Sequence, residues 1–198
     1  MTARTQHKSG RSPQPSFPDG LIIVSPVGGV PANLCRAVAE SVTVLFGCPT
    51  RVASLVTDIA FAFDRDRNQY HSTPILEALA AAAPAACHKI LGLTEEDLYI
   101  PILTYVFGEA QLNGRACIVS TSRLAEDIIA DNRGLERRLI KEAVHELGHT
   151  FNLRHCEERT CIMHYCRGVR DVDRKARDFC RHCRVMLSDE IRNLSAAS

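Results

Sequence analysis

From residue 20 onward, short β-branched runs alternate with longer segments whose apolar residues recur at helical spacing. Residues 21–25 (LIIVS) and 51–56 (RVASLV) read as strands. Between them, residues 32–46 (ANLCRAVAESVTVLF) carry apolar side chains three to four apart with Pro31 just ahead, which predicts a helix. The polar stretch 64–73 (DRDRNQYHST) reads as a loop, and 74–91 as a helix interrupted at Pro84. Three further strand candidates, 97–103, 104–110 and 115–121, are separated by Pro101 and the turn-like QLNG. The clearest helix covers 131–151, where Leu135, Leu139, Ala143 and Leu147 form a stripe at every fourth position. Beyond it the chain is loop-like and Cys-rich until an amphipathic helix closes it at 184–194. Strands alternating with helices predict an α/β (α+β) architecture. Its mixed, mostly parallel sheet is covered by helices, with an antiparallel strand where the connections become short.

Composition narrows the partners. With 198 residues, 45% of them hydrophobic, the chain can bury one good core, so residues 20–198 are expected to form one domain. The 24 Lys and Arg are offset by 23 Asp and Glu and form no unbroken basic stripe, which argues against a nucleic-acid partner. No apolar run approaches the roughly 18 residues of a membrane span, and residues 1–19 lack the apolar core of a secretory signal. They read as a disordered tail, and the expected location is cytoplasmic, with no membrane partner. An odd count of nine Cys without an export signal argues for free thiols over a disulfide framework. Cys35, Cys48, Cys87 and Cys117 stand alone in apolar runs and read as small buried hydrophobes, whereas the other five crowd into residues 156–183.

Three of those five, with four of the eight His, lie in HELGHTFNLRHCEERTCIMHYC, residues 145–166. On a helix, His145 and His149 share one face and can offer two imidazoles to a single ion, while Glu146 is turned aside as a group for proton transfer. If the helix ends near Asn152, which tolerates a left-handed backbone, the chain can return His155 as a third ligand. Three neutral imidazoles leave a dication with an open position, where water ionises near neutral pH. Glu146 then serves as general base, and the reaction implied is peptide-bond hydrolysis. His7, His71, His88, His164 and His182 read as surface or hydrogen-bonded histidines. Cys156, Cys161, Cys180 and Cys183 have the paired-knuckle spacing of a closed, structural zinc site, with Cys166 left over. Two Zn²⁺ per chain are therefore expected. Their ligands interleave, so the thiolate site should clamp the strap that carries His155.

HELGHTFNLRH followed by CIMHY resembles the extended zinc motif and Met-turn of the metzincin metallopeptidases. Cys156, Cys161, Met163 and the later CRHC further resemble the archaemetzincin family, over residues 145–183. Two departures stand out: Asn152 occupies the place of the usual Gly, and sixteen residues, one fewer than in the family pattern, separate Met163 from Cys180. The resemblance implies a metzincin-like fold with an upper subdomain over 20–151 and a lower one over 152–198. It also implies that Met163 forms a hydrophobic base under the catalytic zinc. Tyr165, as in the astacin branch, is a candidate donor to the transition state. The substrate would be a peptide paired with an edge strand, for which TYVFGEA (104–110) is the candidate, and the enzyme would be a monomer. A competing reading is a zinc-binding module with little proteolytic activity; intact Glu146 argues against it. A thiol-redox role for CRHC would need a preceding βαβ pattern, and none is present.

Overall fold

The structure, a computed structural model, describes residues 20–127 and 132–196. The expected disordered tail, residues 1–19, lies outside the described residues. In chain order the elements are β1 (Ile22–Val27), α1 (Ala32–Phe46), β2 (Thr50–Val52), β3 (Phe63–Asp64), β4 (Gln69–His71), α2 (Ser72–Ala81), β5 (Lys89–Thr94), β6 (Leu98–Tyr99), β7 (Gly108–Ala110), β8 (Ala116–Ser120), α3 (Asn132–Thr150), α4 (Val169–Arg174) and α5 (Arg181–Ala196). The main sheet runs β2-β1-β5-β8-β7, parallel throughout except for the antiparallel edge strand β7. Its mixed α/β character is as expected.

Several segments differ from the sequence reading. Residues 89–94 are the central strand, not the end of a broken helix. Every residue of β5 is buried, so the strand shows no alternation, and the preceding run of alanines carries no period to mark where α2 stops. The polar stretch 64–73 is a tight β3–β4 hairpin whose turn is made by Asn68 at φ 52°. The Cys-rich segment contains the short helix α4. The strand candidates 97–103 and 104–110 shrink to β6 and β7, since the chain around Pro101 makes turns.

Alternate residues of the parallel strands feed two cores. Ile22, Val24, Leu91, Leu93, Cys117 and Val119 pack against α1 and α3, while Ile23, Ile90 and Ile118 pack against Ile75, Leu76 and Leu79 of α2. Cys35, Cys48, Cys87 and Cys117 are buried in these layers, as anticipated.

Helix α3 pins Leu139, Ala143, Val144 and Leu147 into the first core. From the same helix, Arg138, Lys141 and Glu142 reach the C-terminal segment. Arg138 donates two hydrogen bonds to the Asp173 carboxylate at 2.8 and 2.7 Å. Lys141 Nζ donates to the carbonyls of Val172 and Asp173 at 2.9 and 3.0 Å. Lys175 Nζ lies 2.6 Å from Glu142 Oε1, both side chains almost wholly out of water. At the far end, Lys89 of β5 donates to the carbonyls of Gly114 and Thr150 at 2.7 and 2.6 Å and so caps the C-terminus of α3.

Removing half of a buried ion pair leaves an uncompensated charge. Lys175→Met is therefore expected to lower stability by about 3–5 kcal/mol in urea unfolding, with Lys175→Met/Glu142→Met costing less than the single change.

Candidate active site and thiolate cluster

His145 and His149 follow one another by a helical turn, and the return of His155 depends on the chain reversal just after α3. Asn152 takes φ 62°, and the amides of Asn152 and Leu153 donate back to the carbonyls of His149 and Gly148 at 3.0 and 3.1 Å. The left-handed residue expected at position 152 is therefore present. The three rings meet with centroids 4.7, 4.9 and 5.3 Å apart.

Each helix-borne imidazole is fixed by its other nitrogen. His145 Nδ1 lies 2.8 Å from the Ile162 carbonyl and His149 Nδ1 lies 2.7 Å from that of Leu153. A carbonyl can only accept, so each Nδ1 carries the proton and each Nε2 presents a lone pair. Those two Nε2 atoms are 3.2 Å apart. Two ligands about 2.05 Å from a tetrahedral zinc would stand roughly 3.3–3.4 Å apart. Burial holds all three imidazoles below the ordinary histidine range, His149 at about 4, which keeps them in the neutral form a metal requires. The donor set thus fits a zinc ion.

Glu146 borders the same cleft, of about 330 Å³, beside the three histidines. Burial, reinforced by the Glu142 carboxylate, pushes its pKa up to about 8, with Lys175 pulling the other way. Two glycines make the approach possible. A Cβ on Gly108 of the edge strand would stand 2.7 Å from Glu146 Cγ, and one on Gly148 would stand 2.6 Å from Met163 Sδ. The second observation explains why a glycine lies inside the ligand helix: Met163, wholly buried, packs directly beneath it. Tyr165 is half exposed, its ring edge-on to His155 at 5.1 Å, and it lines the cleft.

Cys156, Cys161, Cys180 and Cys183 form a second group whose sulfurs all lie within 4.8 Å of one another. The Sγ atoms of Cys156 and Cys180 are 3.8 Å apart, which matches two thiolates about 2.3 Å from a tetrahedral zinc. Backbone amides of Met163 and Cys180 point at Cys161 Sγ, and that of Cys183 at Cys180 Sγ, each at 3.4 Å. Donors of this kind suit sulfur carrying negative charge. Cys166 stands apart from this cluster; it lines the cleft beside Lys175. Between the two groups, the Cys156 amide donates to the Met163 carbonyl at 2.9 Å, and His164 Nδ1 lies 2.8 Å from the Cys156 carbonyl.

Among the described residues His71, His88, His164 and His182 lie outside both groups, and His7 lies outside the described residues. Lys175 and Glu142 escaped the sequence reading. The available signal was the placement of Arg138, Lys141 and Glu142 three and four apart on a helix whose core stripe was already complete.

The model of peptidase family M54 matches residues 62–189. The chain belongs to that family, the archaemetzincin family. A curated archaemetzincin of Halobacterium salinarum is 37% identical over 166 residues, spanning 81% of this chain and 95% of its own length. Among solved structures, the Methanopyrus kandleri archaemetzincin superposes with a TM-score of 0.76 at 33% identity, covering 87% of this chain and 96% of that one. A zinc-dependent peptidase from Methanocorpusculum labreanum gives the same TM-score and identity over 85% and 100%. As an archaemetzincin the chain is a zinc metallopeptidase by class. No helix among its described residues is long and apolar enough to cross a membrane.

Metal analysis of this archaemetzincin is expected to find two zinc ions per chain. Cys180→Ser/Cys183→Ser and His155→Ala should each lower the count by one, as read by plasma emission spectroscopy on desalted protein.

Proposed function

We propose that this archaemetzincin hydrolyses peptide bonds with His145, His149 and His155 as ligands of a catalytic zinc and Glu146 as general base. The reading is carried by the convergence of three neutral imidazoles and one buried carboxylate on the wall of an open cleft. Zinc held there would act as a Lewis acid on water and on the scissile carbonyl. Glu146 takes the proton of the attacking water and returns it to the leaving amine. Without metal, burial holds the Glu146 carboxyl up at about 8; a dication held by the three histidines would draw it down and favour the carboxylate, the form that a general base requires. Met163 supports the ligand helix from below through Gly148.

Among the described residues no strand pairs with the outer side of edge strand β7, which suits it to an extended substrate, and Gly108 lets the strand's own backbone lie close to Glu146. The Tyr165 hydroxyl, on an exposed side chain next to His155, is the donor to the developing oxyanion. Cys156, Cys161, Cys180 and Cys183 would hold a second zinc with no open position, fixing the strap that carries His155 and Met163. Binding of structural zinc by cysteine-rich peptides contributes ~10–16 kcal/mol, ample for that ordering. Both groups are completed within one chain, which supports action as a monomer. Nine free cysteines support work in a reducing, cytoplasmic compartment.

Glu146→Gln is expected to lower peptide cleavage by about 100-fold or more while keeping both zinc ions. Tyr165→Phe should lower kcat by about 10- to 100-fold with KM little changed. Cleavage by Glu146→Gln at the parent rate in a peptide-library digest would remove the general-base assignment.

A further inference from the structure

Beside the catalytic cleft lies a second depression of about 580 Å³, lined by Arg159, His164, Tyr165, Arg167, Asp171 and Arg174. Tyr165 and Arg167 line the cleft as well, so the two spaces share a wall. Three guanidinium groups face a single carboxylate there, and that carboxylate is already engaged. Asp171 lies 3.3 Å from Arg174 Nη1 and accepts the backbone amide of Arg167 at 3.1 Å. The guanidinium groups of Arg159 and Arg167 have no acidic partner among the described residues. His164 spends Nδ1 on the Cys156 carbonyl, which leaves its Nε2 for the depression. Glu157 and Glu158, next in sequence to Arg159, do not line it, and Glu158 accepts from Thr160.

Arginine is matched in shape to carboxylates, which it can hold through two parallel N–H donors. We propose that this basin binds a carboxylate of the peptide substrate, one or two residues away from the bond that is cut. The carboxylate comes from an acidic side chain or from the substrate's own C-terminus. The inference rests on the peptidase reading above. Its reach follows from Tyr165, whose ring is 5.1 Å from that of His155 and also lines the basin. An extended chain advances roughly 3.3 Å per residue, so crossing that ring takes one or two residues. Arg159 and Arg167 are the specificity-determining residues, and Arg174, held by Asp171, adds field.

The test uses fluorogenic peptide pairs with the zinc-loaded protein. One set differs only in Glu against Gln at a single position, the other only in a free C-terminal carboxylate against a carboxamide. The acid member of at least one pair is expected to have a kcat/KM about 5–10-fold higher, mainly through KM, and the set in which this occurs identifies the source. Raising ionic strength from about 0.05 to about 0.5 M should shrink the preference. In Arg159→Gln/Arg167→Gln the acid-to-neutral ratio should fall to about one. A ratio of one for every pair with the parent protein, or a ratio that the double variant leaves unchanged, overturns the proposal. If no peptide is cut, it is the peptidase reading that fails. The same peptides are then titrated into zinc-loaded Glu146→Gln protein and followed by fluorescence anisotropy. Tighter binding of the acid member, lost in the arginine double variant, supports the basin; equal binding of both members overturns it.

Discussion

The 2.6 Å contact between Lys175 and Glu142, sealed from water, fixes where the C-terminal segment lies against the ligand helix. A buried ion pair adds little net stability compared with well-packed hydrocarbon, but separating its partners inside the protein is costly. Its effect is therefore on registry. Placements of the segment that leave Glu142 or Lys175 alone are penalised by several kcal/mol, so the Met-turn and α4 have one seat on α3. Arg138 with Asp173, and Lys141 with two carbonyls of α4, extend the same seat along one side of the helix.

The pair also sets the electrical surroundings of the proposed base. Glu142 pushes the carboxyl of Glu146 upward and Lys175 pulls it downward, while burial is the largest influence. Burial opposes charge on Lys175 too, yet Glu142 and the neighbouring Cys166 more than compensate and raise its pKa. An ammonium close to three histidines thereby helps to keep them neutral. The C-terminal strap thus has two attachments of different chemistry: a polar one to α3, complete without any metal, and the four cysteines.

The convergence of His145, His149 and His155 was legible in the sequence because their spacing is local. Four residues of helix, one left-handed turn at Asn152 and a short return are all specified within eleven positions, 145–155. The four-cysteine group was legible for a different reason, since thiols without an export signal have few uses. What stayed hidden is long-range. Strand β5 could not be read because burial on both faces removes the alternation that marks a strand, and its partners β1 and β8 are distant in sequence. Lys175 could not be assigned to Glu142, 33 positions away, because a lone lysine in a polar segment has an ordinary surface role as its default. Likewise, the edge strand was recognised but drawn too long: only three residues of 104–110 pair with β8, and the rest wall the cleft.

Lys89 links these two levels. It stands at the start of the central strand, and its ammonium, drawn down to about 8 by burial, reaches across to the last carbonyl of the ligand helix. The turn that delivers the third histidine is capped by a strand more than sixty positions earlier in the chain. The reversal that brings His155 beside His145 and His149 is thus tied to the middle of the main sheet, so a change at the start of β5 is transmitted to the last turn of α3.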